Sequence, residues 1–127
     1  MNTINVPLIA ERFLGAMLPA GIKCVNFVKI VYHEAGLTMD FSCQPEAIIL
    51  EKLEKRDFGK LLFLMNRNKK TLYFSHVAII YDENAVIHYS RHSSEDGVRR
   101  VQVTSFEELK KVYEIVKNPY VSKPLVC

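Results

Sequence analysis

The sequence predicts an α+β domain in which N-terminal helices pack on a small antiparallel sheet. Apolar residues recur at helical spacing from Cys24 to Ala35, and strand-like runs joined by short polar segments then fill residues 60–103. The 127-residue chain is 49% hydrophobic and 24% charged, the balance of a soluble globular domain. At this length folding hides roughly two-thirds of the surface that the unfolded chain exposes, so one apolar core suffices. No linker, repeat or low-complexity tract divides the chain, and residues 1–127 read as a single domain. Because helices precede strands instead of alternating with them, the class is α+β.

Residues 7–21, PLIAERFLGAMLPAG, predict a short helix that gives way to a turn at Pro19 and Gly21. The next helix carries Cys24, Phe27, Val28, Val31 and Ala35 on one stripe, and Gly36 supplies the left-handed residue that ends many helices. Pro45 opens a third helical segment through Leu53, closed by a turn near residues 57–59. Strands follow at 60–65, 72–81 and 85–90, and the short connections between them imply an antiparallel meander. A turn centred on Glu83 would place His76 two residues out of register with His88, in diagonal contact. A fourth strand spans 98–103. Thr104 and Ser105 can both cap a helix over 106–116, with Glu107 and Glu108 in its first turn and Phe106, Leu109, Val112, Tyr113 and Val116 as its core stripe. The tail from Asn118, with Pro119 and Pro124, reads as irregular.

Composition excludes several classes. Seventeen basic and fourteen acidic residues leave a net charge of +3, and the basic pairs Lys69-Lys70, Arg99-Arg100 and Lys110-Lys111 lie in segments interleaved with acids, so no nucleic-acid partner is expected. Lys23, Lys29 and His33 interrupt the longest apolar candidate, so no membrane span is expected either. Glu11 and Arg12 fall inside the N-terminal apolar stretch, which lacks a signal peptide's pattern; the expectation is a soluble protein, cytoplasmic or exported by a route not visible in the sequence. The three cysteines, Cys24, Cys43 and Cys127, cannot all pair within one chain.

Cys24 falls where a turn gives way to a helix, so unpaired backbone N–H groups and the positive end of the helix dipole can stabilise its thiolate. A cysteine there can equally be a packed core residue, since cysteine is among the most buried residue types. His76 and His88 lie in adjacent strands of one hairpin. Thiol acyl transfer needs a nucleophile, an imidazole to take its proton and a third polar group to orient that imidazole, and these three residues supply all three. Cys43 and Cys127 have neither a histidine nor a helix-start context. A zinc site from Cys24, His76, His88 and His92 is the competing arrangement, but His88 and His92 have metal-like spacing only on a helix, whereas that segment reads as a strand leaving into a loop. No metal or cofactor is expected.

These residues resemble the NlpC-type branch of the papain-like cysteine peptidases, over about residues 12–116. Gly15, the run Pro19-Ala20-Gly21-Ile22-Lys23-Cys24-Val25-Asn26-Phe27-Val28 and the helix to Leu37 are similar to that family's nucleophile segment. Gly59-Lys60-Leu61-Leu62-Phe63 resembles its second landmark, and Ser75-His76-Val77-Ala78-Ile79-Ile80-Tyr81 with Val86-Ile87-His88-Tyr89-Ser90 its two histidine strands, twelve residues apart between histidines. The resemblance implies a papain-like fold, Cys24 as nucleophile, His76 as base and His88 as the orienting residue. It also implies a peptide or amide substrate, with bacterial cell-wall stem peptides the family's usual target.

Lys23 and Val25 stand where those enzymes commonly place Asp and Ser, and Arg12 where they usually have an active-site tyrosine. Lys23 and Arg12 would favour a carboxylate-bearing substrate if both face the groove. The resulting expectation is a cysteine peptidase or amidase working through an acyl-enzyme. The alternatives are a thioester or lipid acyl hydrolase or transferase on the same scaffold, and a catalytically silent binding module.

Overall fold

The computed structural model describes residues 2–38, 49–67, 76–91 and 96–116. Helix α1 (Val6–Glu11) has Pro7 in its first turn, where a missing N–H breaks no helical bond, and it buries Val6, Ile9 and Ala10. A six-residue helix is not stable alone. It is held at its start by Thr3, whose hydroxyl donates to the Phe58 carbonyl at 2.7 Å, and at its end by Glu11, which accepts from the Tyr81 hydroxyl.

Helix α2 (Cys24–Glu34) buries Cys24, Phe27, Val28, Val31 and Tyr32, the stripe expected from the sequence. At its start the Lys23 N–H donates to Asn26 Oδ1 at 3.0 Å. At its end Gly36 takes φ +73°, and the N–H groups of Leu37 and Gly36 bond to the carbonyls of Tyr32 and His33, both at 2.9 Å, in a Schellman arrangement.

Five antiparallel strands form one sheet: β1 (Leu61–Asn66), β2 (His76–Ile80), β3 (Ala85–Ser90), β4 (Arg100–Ser105) and β5 (Tyr113–Ile115), in the order β4-β3-β2-β1-β5. Helix α3 (Phe106–Val112) follows β4. Leu61, Phe63, Val77, Ile79, Ile87, Tyr89 and Val101 pack under α1 and α2, while Leu62, Leu64, Ala78, Ile80 and Val86 pack with Phe106 and Leu109 of α3. Strands covered on both faces read as nearly continuous apolar runs, which is why β2 and β3 show little polar alternation in the sequence.

Gly59 ties the N-terminal segment to this sheet. Its φ is +87°, a Cβ there would lie 2.0 Å from the Thr3 carbonyl oxygen, and its own N–H donates to the Ile80 carbonyl at 2.7 Å. At the β4 edge, Gly15 and Ala16 exchange backbone hydrogen bonds with Val101 at 2.8 and 3.1 Å, so the loop after α1 covers part of an otherwise open strand.

Three expectations change. The helix expected over 106–116 stops at Val112: Tyr113 adopts φ −122°, ψ 149°, and the chain pairs beside β1 as β5, with Leu64 opposite Ile115. The apparent helical stripe is a strand at its end, since Tyr113 and Ile115 join the α3-side core and Val116 the α2-side core, the period of two that a strand imposes. The helix expected from Pro45 lies mainly outside the described residues; in its described part Ile49 is extended and only Leu50–Lys52 form a 3₁₀ turn. The fourth strand begins two residues later than expected, at Arg100. No helix among the described residues is long and apolar enough to cross a membrane.

Candidate functional site

The β2–β3 register sets Ile79 opposite Ile87, and so puts His76 diagonal to His88 as the turn at Glu83 implies. Both rings are buried, His88 completely. His76 Nε2 and His88 Nδ1 lie 2.8 Å apart, with ring centroids at 5.0 Å and an interplanar angle of 68°. The other His88 nitrogen, Nε2, is 2.9 Å from Thr104 Oγ1 on β4. Tyr113 of β5 stacks on His76 with centroids 5.0 Å apart and planes 11° from parallel. Burial pushes the Tyr113 phenol above its ordinary pKa, while a hydrogen bond with Ser90 and the charge of Arg99 pull partly the other way.

Cys24 is buried as the first residue of α2. One turn on, the Phe27 ring lies 6.3 Å from that of Tyr89, near the His76 end of β2, whereas the Tyr32 hydroxyl at the other end of the helix donates to the Gly59 carbonyl beside Ile80. The opening of α2 and the His76 end of β2 therefore lie at the same end of the sheet. They do not share a face. Cys24 belongs to the cluster with Val77, Ile79, Ile87 and Tyr89, and strand alternation directs His76 and His88 to the opposite side, where His76 pairs with Leu64. Cys24 is also disulfide-bonded; Cys43 and Cys127 lie outside the described residues. In this oxidised form the sulfur offers no thiolate. The structure thus brings the two imidazoles together and leaves the sulfur on the neighbouring face.

Lys23 is half-buried at the N-cap of α2, and Arg12 is exposed at the C-cap of α1. Among the described residues no group of three or more His, Cys, Asp or Glu side chains is placed to hold a metal ion, and His92 lies outside them. No protein-family model matches the chain, and no curated protein matches it significantly.

Thr104 and Tyr113 are the site residues that sequence reasoning misses. Thr104 reads as a helix cap because it precedes an acidic helical turn, and Tyr113 reads as part of a helix stripe. The available signal for Thr104 is its place in a strand paired with the one bearing His88; for Tyr113 there is none short of recognising β5.

Proposed function

We propose that this chain is a cysteine-dependent amide or peptide hydrolase of the NlpC-type papain-like kind, acting through Cys24, His76 and His88 once the Cys24 disulfide is reduced. The observation that supports this reading is the buried 2.8 Å contact between His76 Nε2 and His88 Nδ1, by which one imidazole can orient the other. This reading requires that in the reduced chain the sulfur come within reach of His76 at the end of the sheet that both occupy. His76 Nδ1 takes the thiol proton, and the thiolate attacks the amide carbonyl. The oxyanion is met by the Cys24 backbone N–H at the positive end of α2. Protonated His76 then gives its proton to the leaving amine, and water, deprotonated by His76, releases the acyl group. The family resemblance points to cell-wall stem peptides, and the cations Lys23 and Arg12 suit a peptide carrying a free carboxylate.

A second reading, a binding module without catalysis, is favoured by the disulfide at Cys24 and by its place on the face opposite the imidazoles. The two separate in one experiment on chain treated with a thiol reductant. The hydrolase reading expects cleavage of amide substrates that requires reductant and disappears in Cys24→Ala, with alkylation of Cys24 persisting well below the ordinary thiol pKa of about 8.5. Reduced Cys24 that alkylates no faster than an exposed thiol, with no turnover of amide or ester substrates, leaves the binding module standing.

A further inference from the structure

We infer that Tyr113 is a positioning residue that fixes the plane of the His76 imidazole and so holds it to His88; its catalytic consequence, though not its structural one, rests on the hydrolase reading. His76 meets two rings at different attitudes. His88 comes to it edge-on, Nδ1 to Nε2 at 2.8 Å with the planes 68° apart, whereas Tyr113 lies along its face, with centroids 5.0 Å apart and planes 11° from parallel. Near-parallel rings at that centroid separation are offset, the stacked arrangement that ring quadrupoles favour.

The two contacts act differently. A hydrogen bond between ring nitrogens lasts only while both rings keep planes that aim the N–H at the lone pair, since it weakens steeply away from linearity. An imidazole turns about its Cβ–Cγ bond in a broad, soft torsion. A ring lying flat against another cannot turn there without driving an edge into its neighbour. That block acts whichever imidazole donates the proton, and whatever else either of them touches. Tyr113 is itself held at both ends: its backbone is level with Asn66 of β1, and its hydroxyl hydrogen-bonds with Ser90, the last residue of β3, on the face that carries His88. Leu64 is the cross-strand partner of both His76 and Ile115, so β1 sets β5 in register with the strand that bears His76. A three-residue strand at the sheet edge thereby does more than cover β1, because it supplies the flat surface against which the imidazole rests.

The test follows the ring N–H shared by His76 and His88, by proton and nitrogen NMR of the full-length chain, with hydrolysis measured on the same samples after reduction. One ring N–H lies in that contact in either proton arrangement. Wild type and Tyr113→Phe, which keeps the flat face, should show it as a slowly exchanging signal. Tyr113→Leu, apolar but not flat, should let it exchange about 10-fold faster or more. The same substitution should lower kcat by about 10-fold with KM little changed, while Tyr113→Phe stays within about threefold of wild type. Tyr113→Met makes the same comparison should Tyr113→Leu not fold. The inference is overturned by a wild-type N–H that already exchanges freely, by Tyr113→Leu protecting it as wild type does, or by Tyr113→Phe losing it as fully as Tyr113→Leu. A signal that depends on the aromatic ring at position 113, in a chain that cleaves no amide, upholds the positioning role and defeats the hydrolase reading alone.

Discussion

The two faces of the sheet are built on different terms. Beneath α1 and α2 the described core is made of Val, Ile, Leu, Phe, Ala, Tyr and Cys side chains, a surface that burial of apolar area alone would select. On the α3 side, His76, His88, Ser90 and Thr104 lie among Leu62, Leu64, Ala78, Ile80 and Val86; of the buried polar residues described, only Thr3 lies elsewhere. Burying polar groups costs free energy unless each finds a partner, and the imidazole chain from His76 through His88 to Thr104 supplies partners. The first face therefore depends mainly on shape, with its side-chain hydrogen bonds carried by the Tyr32 and Tyr89 hydroxyls at its margins, whereas the second depends on who donates to whom.

The largest expected effect lies on the apolar face. Phe27 is fully buried and makes ring contacts with Phe13, edge-on at 5.9 Å, and with Tyr89 at 6.3 Å. Phe27→Ala should cost about 3–5 kcal/mol in urea unfolding, through lost transfer energy and the cavity left behind. The imidazole signals of His76 and His88 in the remaining folded protein should be unchanged. A loss below about 1 kcal/mol, or a shift of those signals, would mean that the two faces are not energetically separate.

The apolar face was also the more legible in the sequence. The stripe Cys24, Phe27, Val28, Val31 follows from spacing, and Gly36 marks the helix end because its φ of +73° is one that glycine takes without strain. The His76–His88 diagonal was legible too, because a three-residue turn leaves little freedom of register. Strand β5 was not. Tyr113 and Val116 fit helical spacing as well as strand spacing over so short a run, and what decides between them is the open edge of β1, a partner far upstream in sequence whose Phe63 carbonyl accepts the Val116 N–H at 2.8 Å. Nor could spacing tell which face of the sheet would carry the histidines relative to Cys24, since a helix can pack on either side of a hairpin.

A tyrosine on each face sharpens the contrast at intermediate scale. Burial pushes the Tyr32 phenol far above its ordinary value of 10.0 and raises Tyr113 as well. A phenol that stays protonated in the folded chain but ionises in the unfolded one lends stability that is complete below about pH 10 and is lost as the pH rises further. Thermal melts should therefore show the midpoint falling above pH 10. Tyr32→Phe leaves the Gly59 carbonyl without its 2.7 Å donor, at a cost of roughly 1–3 kcal/mol at neutral pH, and it should also flatten the alkaline decline. An unaltered alkaline slope in that variant would assign the decline to other groups.

The smallest effect is the most discriminating for the polar face. Ser105→Ala removes the cap of α3 and should cost about 1 kcal/mol, because the Glu108 N–H loses its acceptor while the helix keeps Glu107 and Glu108 in its first turn. Ser105 neighbours Thr104 in β4, so a general loosening of this strand end would disturb the histidines, whereas loss of the cap alone leaves the contact between Thr104 and His88 in place. Unfolding measurements should register the lost cap, while the ring protons of His76 and His88 stay as in wild type; if they move, the polar face responds to the mere presence of α3 and not to its own hydrogen bonds alone.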